Sequence, residues 1–66
     1  MDDIAEANRI KDRLQACKTV LDVLAVADEE RANVRRLAKT AEGKPLAVHI
    51  ANLKAYMIDD LNQKGK

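Results

Sequence analysis

The chain's only thiol, Cys17, and only imidazole, His49, are the natural first candidates for chemistry, because a cysteine activated by a histidine is a strong nucleophile. Their positions argue against it. Cys17 falls inside an apolar run of helical spacing, where a cysteine ordinarily packs and does not react. His49 falls on a polar strip with Asn52 and Tyr56 and reads as a surface histidine. Serine is absent altogether, which removes the usual hydroxyl nucleophile. Asp59 and Asp60 are adjacent, so on a helix they point about 100° apart and cannot jointly hold a metal or share a proton. No phosphate loop, no Cys/His metal spacing and no repeat is present. The expectation is a protein that is not an enzyme and that uses no cofactor or metal.

Charge and shape remain as carriers of function. The net charge is +1, yet residues 1–30 hold eight acids against four bases and residues 31–66 hold eight bases against three acids. The split is read first as two halves that pair with each other, within or between chains, and second as a basic half that meets nucleic acid. Arg31, Arg35 and Lys39 line up at steps of four with Arg36 beside them, forming a basic ridge. Tyr56 is the sole aromatic residue. Arginine and tyrosine often anchor interfaces, so Arg31, Arg35, Arg36, Lys39 and Tyr56 are the candidate partner-binding residues.

The segment 34–57 resembles a helix-turn-helix, with an alanine in the first helix, a glycine in the turn and apolar residues recurring in the second. It departs from that pattern in its Ala-to-Gly spacing and in having two apolar faces on the second helix. Only His49, Asn52 and Tyr56 would reach base edges. A small dimeric DNA-binding transcriptional regulator is therefore the alternative reading. The favoured one is a helical interaction protein that binds and modulates, or inhibits, a protein partner.

These residues must be carried by helices. Ala, Leu, Lys, Arg, Asp and Glu dominate, while both glycines (Gly43, Gly65) and the one proline (Pro45) lie outside the periodic runs. The fold class is all-α: a small protein of two or three helices in one domain spanning residues 1–66. Asp3 is the expected N-cap of a first helix whose seam is Ile4, Ala7, Ile10, Leu14, Cys17, Leu21 and Leu24. A second stripe, Val34, Leu37, Ala38 and Ala41, projects backwards onto Ala27, Val23 and Val20. The two stripes overlap in Val20–Ala27, where seven of eight residues are apolar. Either one long helix serves two partners, or it breaks or bends sharply near residues 26–28; the break is favoured. Gly43 is expected to end that helix in a left-handed conformation, with Glu42-Gly43-Lys44-Pro45 as the turn. A C-terminal helix follows from Leu46 to about Asn62, with Gln63–Lys66 frayed.

The C-terminal helix carries one apolar stripe of Leu46, Ile50, Leu53, Met57 and Leu61 and another of Val48, Ala51, Ala55 and Ile58. A helix apolar on two sides packs between others. Sixty-six residues with a single cysteine cannot be stapled by an internal disulfide, so a helical-bundle homodimer is expected. Val20, Leu21, Leu24, Ala51 and Ala55 are assigned to its core. On that assignment Leu24→Asp should disturb folding and dimerisation together, and Arg35→Glu should leave both intact. Eight apolar residues are too few to cross a bilayer, and Met1-Asp2-Asp3-Ile4 shows no secretory pattern, so a cytoplasmic protein without a membrane partner is expected.

Overall fold

Asp2, one residue earlier than expected, opens the first helix. Its Oδ1 accepts the N–H groups of Ile4 and Ala5 at 3.0 and 3.4 Å, and Asp3 and Glu6 occupy the positive first turn. The computed structural model describes residues 2–64, in which the order is α1 Asp3–Gln15, α2 Val20–Glu29, α3 Arg31–Ala38 and α4 Gly43–Lys64. The chain is all-α, as its composition requires, but with four helices and not two or three. Gly65 and Lys66, expected to fray, lie outside the described residues; Gln63 and Lys64 are still helical.

The expected first helix is three. α1 stops at Gln15, and a short link of Ala16, Cys17 and Lys18 leads to Thr19. Thr19 is extended, at φ −135° and ψ 159°, and its Oγ1 accepts the Asp22 N–H at 3.1 Å, which starts α2. The second break falls at Glu30, not at residues 26–28. Glu30 is at once the C-cap of α2 and the N-cap of α3, at φ −93° and ψ 3°. Its N–H closes the last turn of α2 on the Val26 carbonyl and its own carbonyl opens α3 by accepting from Val34, both at 2.9 Å. The α2–α3 junction is a one-residue interruption between two helices, achieved with neither glycine nor proline.

The break after Gln15 resets the helical phase, so the long seam does not survive. Ala7, Ile10 and Leu14 are buried, but Leu21 is 78% exposed and Leu24 45% exposed. The inward residues of α2 are those that continue the second stripe: Val23 is fully buried, and Val20 and Ala27 are half-buried. Leu37 is buried and Val34 half-buried, whereas Ala38 and Ala41 face solvent. On α4, Ala47 and Ile50 are buried, with Leu46, Leu53, Met57, Ile58 and Leu61 packed against that core.

The second turn also differs from expectation. No described glycine has a positive φ, and Gly43 is the first residue of α4, not a left-handed cap. Its lack of a side chain serves close approach: a Cβ there would lie 2.6 Å from Thr40 Oγ1 and would overlap the Leu37 carbonyl oxygen. Thr40 holds this corner. Its hydroxyl accepts the Gly43 N–H at 2.8 Å and shares its proton between Asp3 Oδ2 at 3.0 Å and the Leu37 carbonyl at 3.3 Å. Pro45 sits in the first turn of α4, where its missing N–H costs nothing.

α4 contacts all three other helices and forms the spine of the bundle. Its 22 residues span about 33 Å, which sets the 39 Å long axis of a body 17 and 15 Å across. No described helix is long and apolar enough to cross a membrane.

Candidate protein-interaction site

α2 and α3, joined at Glu30, border an open groove of about 460 Å³ together with α1 and α4. Ile10, Leu14 and Ile50 form its floor. Leu24 and Ala27 of α2, Val34 of α3 and Ala51 of α4 extend the apolar surface up the walls. The rim is charged, with Asp28 on the α2 side facing Arg31 and Arg35 of α3 and Lys54 of α4. Arg31 pairs with Asp28 at 3.1 Å across one helical turn. Arg35 and Lys54 meet no carboxylate among the described residues. An apolar trough with unneutralised cations on one rim is suited to a ligand that is apolar and acidic.

The bend is held by charge. Glu30 is 3% exposed, the only charged or polar side chain with so little contact with solvent among the described residues. Its carboxylate accepts four hydrogen bonds from three residues: Arg9 donates to both oxygens at 2.7 Å, Arg13 to Oε2 at 2.6 Å, and Asn33 Nδ2 to Oε1 at 2.7 Å. Arg9 also binds Glu6 at 2.6 Å, and Arg13 binds Glu29 at 2.7 Å. The bidentate Arg9 pairing fixes direction as well as charge. It pulls the Glu30 carboxyl down to about 2, from an ordinary 4.5, with Asn33 and Arg13 adding to the effect and burial opposing it. The cover over Glu30 is made by the guanidinium arms themselves, which are 45% and 39% exposed, so the clamp lies at the edge of the core.

Neither Glu30 nor its arginines stands out from the sequence as a site. The available signal was the pair Arg9 and Arg13, one helical turn apart, together with the acidic run Asp28-Glu29-Glu30. That run reads equally well as the start of a helix.

The structure divides the expected basic ridge. Arg31, Arg35 and Lys39 stay on one exposed stripe, and Lys54 from α4 joins Arg31 and Arg35 at the groove. Arg36 turns the other way, donates to Asn33 and lines a shallow cleft with Asp3 and Glu6. Tyr56 is 65% exposed on α4. Of the residues assigned to a dimer core, Val20 is half-buried, whereas Leu21, Leu24, Ala51 and Ala55 are exposed. They are not the core of the single chain. Leu24 and Ala51 instead both line the groove, and Leu21 and Ala55 lie one turn from them along their helices.

The residues with reactive side chains are spread apart in role. Cys17 is half-buried, its Sγ donates to the Arg13 carbonyl at 3.3 Å, and burial pushes its thiol up, with Asp22 adding repulsion. His49 is exposed. Asp59 and Asp60 each meet a partner one turn ahead, Gln63 at 3.2 Å and Lys64 at 3.1 Å, which accounts for carboxylates near a helix C-terminus. Among the described residues no group of three or more His, Cys, Asp or Glu side chains is placed to hold a metal ion. No protein-family model, curated protein or solved structure matches the chain.

Proposed function

We propose that this is a non-enzymatic helical interaction protein that binds, and thereby modulates, a protein partner through the groove between α2, α3 and α4. The observation that carries the reading is the combination at that groove: an apolar trough left open to water, bordered by Arg35 and Lys54, which have no carboxylate partner among the described residues. Water over apolar surface is unfavourable, by roughly 25 cal/mol per Å², and a ligand that displaces it gains that free energy. The matching partner is an amphipathic helix with apolar anchors at i, i+3, i+4 and i+7 and acidic flanks. Holding such a helix hides its apolar face from any competitor, which is a sufficient means of modulation. Lys39 and Tyr56 lie beyond the groove, where they extend the contact to the length of a longer ligand.

The test is fluorescence anisotropy with a labelled amphipathic helical peptide in acidic and basic versions. Saturable binding of the acidic version, lost in Leu24→Asp and weakened in Arg35→Glu, is the expected result. Equal binding of both versions by wild type and Arg35→Glu alike would defeat the proposal. DNA binding is the second reading, because Arg31, Arg35 and Lys39 form an exposed stripe beside the α3–turn–α4 segment. A shift of duplex DNA near 50 mM salt that disappears as salt is raised would favour it.

A further inference from the structure

Of all surfaces on the molecule, the face formed by α2 and the groove beside it is the one whose two halves complement each other. The exposed side of α2 next to the groove carries Leu21, Leu24 and Asp28, with Asp22 on the far flank beside Arg13 and Cys17, and the helix contains no basic residue. Across the groove the wall is apolar at Val34 and Ala51 and cationic at Arg35 and Lys54. Among the described residues of one chain, Arg35 and Lys54 have no carboxylate partner. A two-fold rotation lays α2 of one copy against the cationic wall of the other, and the same contact then forms twice.

We infer that the groove is occupied by α2 of a second copy, making an isologous homodimer in which Leu21 and Leu24 enter the partner's apolar trough and Asp28 faces its cations. This rests on the groove being a protein-binding surface, and it names the occupant. The exposure of Leu21, at 78%, is explained at the same time: a leucine that extended is poorly placed in a monomer and well placed as an anchor. Leu24, Ala51 and Ala55 thereby become interface residues of the pair while remaining outside the core of each chain. Arg35, expected from sequence to be dispensable for association, becomes a contributor to it.

Analytical ultracentrifugation of the full chain at about 100 µM is the first measurement, an affinity range that weak homodimers reach. A species of twice 7.3 kDa is expected. Leu24→Asp should keep its helical circular dichroism and sediment at 7.3 kDa. Two charge-reversed chains give the decisive arm. Arg35→Glu with Lys54→Glu, and Asp28→Lys, should each dimerise at least about tenfold more weakly than wild type, because like charges then meet across the axis. Mixed together they should recover the dimer, since every contact is again between opposite charges. Wild type sedimenting as a monomer would overturn the inference, as would reversed chains that dimerise unmixed as well as wild type. A monomer that still binds the acidic peptide would leave the groove reading standing, and a monomer that does not would remove both.

Discussion

Replacing Glu30 by glutamine keeps the shape of the side chain and removes the charge that three donors converge on. A carboxyl held at about 2, against 4.5 when free, corresponds to about 3 kcal/mol of folding free energy at neutral pH. The arginine arms are partly in water and screen some of this, so about 2 kcal/mol is the expected loss. Because the folded carboxyl is the stronger acid, its contribution is complete above the unfolded value, near pH 5 and higher. It declines as pH falls and is gone once pH passes below about 2. Wild type and Glu30→Gln should therefore differ by about 2 kcal/mol in urea unfolding at pH 7 and converge toward about pH 2. In a domain of this size the difference at pH 7 is roughly 8–16 °C in Tm. Followed by circular dichroism at 222 nm, both chains can be titrated in one experiment. A gap that is the same at pH 7 and near pH 2, or that is below about 0.5 kcal/mol at pH 7, would refute the claim that charge holds the bend.

Further expectations concern the two other corners and the thiol. Gly43→Ala gains about 1 kcal/mol of helix propensity but drives a methyl group onto the Leu37 carbonyl oxygen, which cannot rotate aside. Overpacking costs about 1–3 kcal/mol, so a net loss of stability is expected in chemical denaturation; a stabilised variant would show the corner to be loose. Thr19→Ala removes the acceptor of the Asp22 N–H and should cost about 1 kcal/mol, with Thr19→Asp restoring most of it. Cys17, with its thiol pushed up by burial and by Asp22, should alkylate more slowly at pH 7 than cysteine in an unfolded peptide. Asp22→Asn should speed that reaction. Equal rates for folded and denatured protein would contradict the burial of Cys17.

α4 was the most legible element because nothing interrupts its period. Spacing alone puts Leu46, Ile50, Leu53, Met57 and Leu61 on one apolar stripe, and each is at least half-buried. The residues before it misled because Ile10, Leu14, Cys17, Leu21 and Leu24 keep a heptad step across a link where the chain is not helical. The stop carries no glycine or proline. Its readable mark was Thr19, three residues ahead of Asp22 and just before an apolar run. The surface was legible by composition and not by role: Leu24 and Ala51 were recognised as apolar contact residues, but only the fold separates the inside of a chain from its exposed face. Glu30 was illegible for a different reason. Its partners lie 17 and 21 residues away, and their convergence depends on how α1 packs, which no local pattern encodes.

The bend at Glu30 also fixes curvature. Glu30 closes α2 on the Val26 carbonyl and opens α3 on the Val34 N–H, so straightening α2 and α3 into one rod from Val20 to Ala38 would keep both bonds and add those that the junction interrupts. Such a rod would be about 28 Å long, and a straight rod has no concave side. The elbow that borders the hollow sits where Arg9 and Arg13 of α1 both pull on the Glu30 carboxylate. Salt or acid strong enough to release that pull would flatten the hollow while leaving most of the helix content in place.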